Sequence, residues 1–115
     1  MAKTDKGKNY LEFVPIKSEK IEEKIIEDGN IQLIVPRTSF FDKIAIKLFF
    51  VPDKFKIDLD ELGSFIWKNI DGKRNVYQIG ELVKEKFKEK AEPLYERLAE
   101  YLNILNNNKF ISFRE

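Results

Sequence analysis

Residues 54–72 read KFKIDLDELGSFIWKNIDG, and the spacing of their apolar side chains changes part-way along. Phe55, Ile57 and Leu59 alternate with Lys56 and Asp58, which is the period of a half-buried strand. From Leu62 onward the pattern turns helical. Leu62, Phe65, Ile66 and Ile70 share a face, because a helix returns to the same side every three or four residues. Asp58 or Asp60 can cap its start. Asp71-Gly72 supplies the stop, since glycine readily takes the left-handed conformation that ends helices.

Two more helical patterns lie downstream. Asn75, with Gln78 three residues later, has the form of a capping box, and Val76, Ile79, Val83 and Phe87 make the face behind it. Pro93 suits a first helical turn. Leu94, Leu98, Leu102 and Leu105 then form a stripe with Tyr95 and Tyr101 at its flanks, and Asn106-Asn107-Asn108 ends it. Phe110–Phe113 can add a short final strand.

Upstream, Lys24–Glu27 and Ile31–Val35 flank Asp28-Gly29-Asn30, a hairpin signal with β-branched residues on both sides. Pro36 closes its second strand. Tyr10–Ile16 predict a short extended segment at best, and the small, polar, Lys-rich residues 1–9 predict a flexible arm. Residues 38–50, TSFFDKIAIKLFF, fit two templates. Phe41, Ile44 and Leu48 make a helical stripe, while Ile44, Ile46, Leu48 and Phe50 alternate as a strand. A helix docking on the sheet is the reading taken, with the strand left open. There are no internal repeats, so residues 10–115 are expected to form one α+β domain. Its small antiparallel β-sheet is followed by a three-helix bundle, in the manner of a winged helix-turn-helix.

Composition narrows the chemistry. The 115 residues carry a formal charge of +1, from 21 basic and 20 acidic side chains. That balance gives no bulk attraction to nucleic acid or to an anionic membrane. At 43% hydrophobic the chain can bury a core, its first ten residues hold no apolar segment of the length a secretory signal needs, and no stretch reaches the roughly 20 apolar residues that span a bilayer. The chain contains no Cys and no His. Thiolate catalysis, zinc–sulfur sites and imidazole proton shuttles are therefore absent, and a reduced, cytoplasmic setting fits. Its four serines and two threonines have no histidine to activate them. No phosphate-cradling glycine loop or EF-hand spacing appears, and Glu22-Glu23 and Asp58/Asp60 fit solvated faces and helix caps. No catalysis and no cofactor are expected.

A winged-helix DNA-binding or regulatory domain is the alternative reading. Its recognition helix would be the third, where Glu92, Glu96 and Glu100 outnumber Arg97. A helix entering a phosphate-walled groove needs the opposite charge. On the second helix, Lys84, Lys86, Lys88 and Lys90 are interleaved with Glu85 and Glu89, the mark of a solvated face.

The run LDELGSFIWKNIDG at 59–72, followed by KRNVYQIGELVKEKF and EPLYERLAEYLNILNNNKFI, resembles the PqqD-like family. Its members are recognition elements that bind the leader peptides of ribosomally made, modified peptides. The resemblance covers residues 55–113 and rests on the frame L-D-x-x-G-x-x-x-W-x-x-x-D-G. It implies a three-stranded antiparallel sheet packed on three helices, with the strand before the first helix accepting the leader peptide as an added strand. Carried onto this chain, the accepting strand is Phe55, Lys56, Ile57, Asp58 and Leu59. The other wall of the groove would come from Leu94, Tyr95, Leu98, Tyr101 and Leu102. The implied partners are a precursor peptide and a maturation enzyme, often a radical S-adenosylmethionine enzyme. Residues 36–53 insert more chain before the accepting strand than a minimal member needs, and could cover the edge.

Edge-strand physics agrees with this reading. Unpaired N–H and C=O groups on a strand edge accept a guest chain irrespective of its sequence, so specificity must come from side chains nearby. Lys56 and Asp58 could set the charge register of a guest, and the tyrosines offer amphipathic contact area. A leucine stripe is core in the first instance, as is a lone tryptophan such as Trp67. A free edge also leaves a homodimer open.

Overall fold

The computed structural model describes residues 10–36 and 54–115. The expected N-terminal arm and the helix-or-strand segment at 38–50 lie outside the described residues. In chain order the elements are β1 (Val14–Lys17), β2 (Glu22–Ile25), β3 (Ile31–Pro36), β4 (Lys54–Asp58), α1 (Glu61–Lys68), α2 (Val76–Phe87), α3 (Leu94–Asn107) and β5 (Ile111–Arg114). They form an α+β fold of antiparallel strands and three helices among the described residues. Two compact units emerge: Glu19–Asp60, and Met1–Ser18 together with Glu61–Glu115.

The first unit is a three-stranded antiparallel sheet in the order β2-β3-β4. Its hairpin turns where the sequence predicts. Asp28 and Gly29 take positive φ angles of 70° and 77°, and Ile26 N–H donates to Asn30 O at 2.8 Å to close the turn. β3 is central. Its Ile31, Leu33 and Val35 are buried, and the residues between them are half-buried, which is the period-two pattern of a strand with one covered face.

The second unit joins the ends of the chain. β1 and β5 pair antiparallel, Val14 opposite Arg114 and Lys17 opposite Ile111. Sequence reading treated these two segments separately, because nothing local signals a pairing across almost the whole chain. Tyr10, Phe13 and Phe113 meet there edge-on or tilted, with ring centroids 5.7–6.1 Å apart. Phe13 O also accepts the N–H of Val76 at 2.9 Å, satisfying one of the donors that a helix start leaves without an internal partner. The predicted capping box is present in full: Asn75 Oδ1 accepts Gln78 N–H at 2.8 Å and Gln78 Oε1 accepts Asn75 N–H at 2.9 Å.

Two boundaries differ from expectation. α1 ends at Lys68 rather than at Asp71-Gly72. The chain tightens into three-residue bonds there, Asn69 N–H to Ile66 O and Ile70 N–H to Trp67 O. Asp71 instead organises the following turn by accepting the N–H groups of Lys73 and Arg74. Those bonds, chiefly from Arg74, hold its carboxyl below the usual range. Pro93 stands one position before α3 as its N-cap rather than in the first turn. Having no side-chain acceptor, it leaves the task to Glu92, whose Oε1 takes the Leu94 N–H at 3.1 Å.

The core of this unit is the set of helix faces read from the sequence. Val76, Ile79 and Val83 of α2 and the α3 leucines are buried, and Trp67 is 0% exposed with Lys17 Nζ 4.9 Å from its ring centroid. Phe65 and Phe87 are half-buried and meet edge to face at 5.5 Å. Replacing Asn75 with Ala removes the Oδ1 acceptor of the Gln78 N–H and is expected to cost about 1 kcal/mol. The check is a lower urea midpoint with an unchanged slope.

Candidate functional site

The accepting strand predicted at 55–59 is β4, displaced by one residue to Lys54–Asp58. Its register on β3 sets Val35 opposite Phe55, Leu33 opposite Ile57 and Gln32 opposite Asp58. One bond fixes which backbone groups face which way. Leu59 N–H donates to Ile31 O at 2.9 Å, so Ile31 and Leu59 are a hydrogen-bonded pair. Hydrogen-bonded and non-bonded pairs alternate along an antiparallel ladder. Ile57 and Phe55 therefore also point their backbone groups at β3, while Lys54, Lys56 and Asp58 point theirs outward. Among the described residues no strand pairs with that outward side.

Side chains follow the same alternation. Phe55, Ile57 and Leu59 share the face of Val35, Leu33 and Ile31. Leu59 is buried, Ile57 half-buried, and Phe55 37% exposed. Lys54, Lys56 and Asp58 occupy the other face and are all exposed. Two contacts steady them: Gln32 Nε2 donates to Asp58 Oδ1 at 2.8 Å, and Lys54 Nζ lies 3.8 Å from Glu22 Oε2. At the far edge of the sheet β2, reading EEKI, is exposed throughout, and charged side chains of this kind discourage pairing.

The remaining candidates belong to the helical unit. Leu94, Leu98 and Leu102 are 5%, 1% and 0% exposed, so these three are core side chains. Tyr95 and Tyr101 are half-buried, and both hydroxyls are engaged. Tyr101 donates to Gly63 O at 3.1 Å, tying α3 to α1. Tyr95 donates to Glu81 Oε2 at 2.9 Å, and its ring stacks on Tyr77 at 6.3 Å with the planes 1° apart. Burial, then the bond and charge of Glu81, push the Tyr95 hydroxyl up to about 12.

Sequence reading missed Gly80, which makes the Tyr95 arrangement possible: a Cβ there would run into the ring. A glycine in mid-helix was the available signal, since it is costly unless something approaches closely. Among the described residues no cluster of three or more His, Cys, Asp or Glu could hold a metal. None of the helices among them is long and apolar enough to cross a membrane.

The family model for coenzyme PQQ synthesis protein D (PqqD) matches residues 51–111, just over half of the chain. The chain belongs to the PqqD family. No curated protein and no solved structure matches it. The matched stretch contains β4, all three helices and every residue proposed above for the site, whereas the β2–β3 hairpin lies before it. The PqqD family is one of accessory recognition domains, and membership points to a peptide-recognition role.

Tyr95 supports a pH prediction. Its folded-state value lies above the ordinary one near 10, so its share of stability is complete below pH 10 and is lost as pH rises towards 12. Burial pushes the Tyr10 hydroxyl up to about 12 as well, so absorbance titration of tyrosinate should show two late-ionising groups, one of which disappears in Tyr95→Phe. Gly80→Ala, which must displace the Tyr95 ring, should return one of the two towards pH 10. Two late groups in either variant would contradict the assignment.

Proposed function

We propose that this chain captures the leader peptide of a ribosomally made precursor as an added strand on β4 and presents it to a maturation enzyme, with a radical S-adenosylmethionine enzyme as the expected partner. The observation that carries the reading is the outward edge of β4, which lies inside the family-matched stretch. A guest strand would bond to the N–H and C=O groups of Lys54, Lys56 and Asp58. Main-chain bonds of this kind give affinity without demanding a sequence. Discrimination would come from exposed side chains along the edge: Lys56 and Asp58 by charge, and Phe55 by apolar contact. Tyr95 and Tyr101 are the candidates on α3 for further contact with the peptide. In this reading Leu59 acts through the buried face of the sheet, and Leu94, Leu98 and Leu102 through the core of the helical unit.

Charge supports a peptide guest over a DNA guest. Glu92, Glu96 and Glu100 are exposed at the start of α3 and just before it, where phosphate contacts would require bases.

The test is a ¹⁵N-HSQC titration with leader segments of candidate precursors and a DNA duplex as control. Shifts concentrated at residues 54–59 with peptide, and none with duplex, are the expected result. Lys56→Pro removes one outward N–H at an edge position that tolerates proline. It should weaken peptide binding about tenfold, the loss of roughly one well-formed hydrogen bond, while the circular dichroism spectrum stays unchanged. Shifts with duplex but with no peptide would overturn the reading.

A further inference from the structure

The sequence along the outward edge, Lys54-Phe55-Lys56-Ile57-Asp58-Leu59-Asp60, is complementary to itself when run antiparallel. Basic residues occupy the charged positions in its first half and acidic residues those in its second. Apolar residues fill every position between. An antiparallel partner strand must set outward-facing residues opposite outward-facing residues. A second copy of β4 can therefore pair only in registers centred on a single residue.

Four registers are then to be compared. Centred on Phe55, the pairing sets Lys54 against the partner's Lys56 twice. Centred on Lys56 it opposes that lysine to itself, and centred on Asp58 it opposes two aspartates. Centred on Ile57, however, every charge meets its opposite. Lys56 faces Asp58, Lys54 faces Asp60 just past the strand end and Phe55 faces Leu59, each contact made twice by symmetry, while Ile57 faces its own copy once on the axis. Opposite charges directly across a ladder stabilise it, and like charges there destabilise it.

We infer that two copies of this chain associate through β4 about a two-fold axis at Ile57, joining two three-stranded sheets into one of six. The partner is a second copy because a single register satisfies all the charges of the edge at once, and a two-fold interface requires such self-complementarity. The exposed positions of Lys56 and Asp58 leave both able to meet a partner strand. Among the described residues Asp58 accepts Gln32 through Oδ1, and its second oxygen can take the incoming lysine. The inference needs only this edge and does not rest on the leader-peptide reading, which is measured separately.

Sedimentation velocity of the full chain from micromolar to millimolar concentration tests it, beside two charge reversals. Lys56→Asp opposes aspartates at both paired positions, and Asp58→Lys opposes lysines. Each variant alone should weaken dimerisation about ten- to a hundredfold, since two attractive pairs become two repulsive ones. An equimolar mixture of the two variants should dimerise again. One copy then carries only aspartates at the two paired positions and the other only lysines, so every cross-strand pair is once more of opposite charge. The double variant K56D/D58K should dimerise on its own. Circular dichroism establishes that each variant is folded. A wild-type chain that stays monomeric throughout would overturn the inference, as would variants that dimerise like the wild type or a mixture that remains monomeric.

Discussion

The geometry of the three-stranded sheet depends on the alternation of β3. A strand directs successive side chains to opposite faces, and its backbone bonds alternate between its two neighbours. In β3 the two alternations coincide so that Ile31, Leu33 and Val35 are both the buried residues and the ones bonded to β4. Burial therefore fixes the register of β4 as well as that of β3. A slip of one residue would expose this apolar set and bring its polar neighbours inside. The same constraint decides that Lys54, Lys56 and Asp58, and not Phe55 and Ile57, present their backbone groups outward. The backbone groups on the outward edge of β4 are thus set by residues buried on the opposite side of the ladder.

The helical unit solves a different problem. Its two strands come from opposite ends of the chain, and a single bond from Val76 N–H to Phe13 O anchors the start of α2 to the segment before β1. Trp67 fills the interior beneath Lys17, and Tyr101 links α3 to α1 through Gly63. None of these groups is suited to move a proton or attack a carbonyl. The polar groups here serve as caps, turns and ties. That distribution fits a PqqD-family domain, whose task is recognition.

Where local chemistry decides the structure, the sequence was legible. The Asp28-Gly29 turn, the Asn75–Gln78 capping box and the leucine stripe of α3 each carry their own signal within a few residues. The alternation of Phe55, Ile57 and Leu59 located β4 to within one position. Distance in the chain defeated the rest. β1 and β5 recognise each other across the whole molecule, and neither contains a feature that names the other. The end of α1 was misplaced because Asp71-Gly72 is a strong turn signal that belongs to the next turn and not to the helix. The family resemblance, with size and amphipathicity in support, points to the tyrosines as groove residues. Their hydroxyl partners, Gly63 O and Glu81, follow from helix packing that no spacing rule encodes.

Trp67 and the four tyrosines, at 10, 77, 95 and 101, all lie in the helical unit, and Glu19–Asp60 contains neither residue type. The three-stranded sheet is therefore silent in intrinsic fluorescence and nearly so in near-ultraviolet absorbance. A fluorescence melt of this protein has no tyrosine or tryptophan in the sheet itself to report on it. A tryptophan placed in a docking strand would supply, at β4, the signal that the sheet lacks.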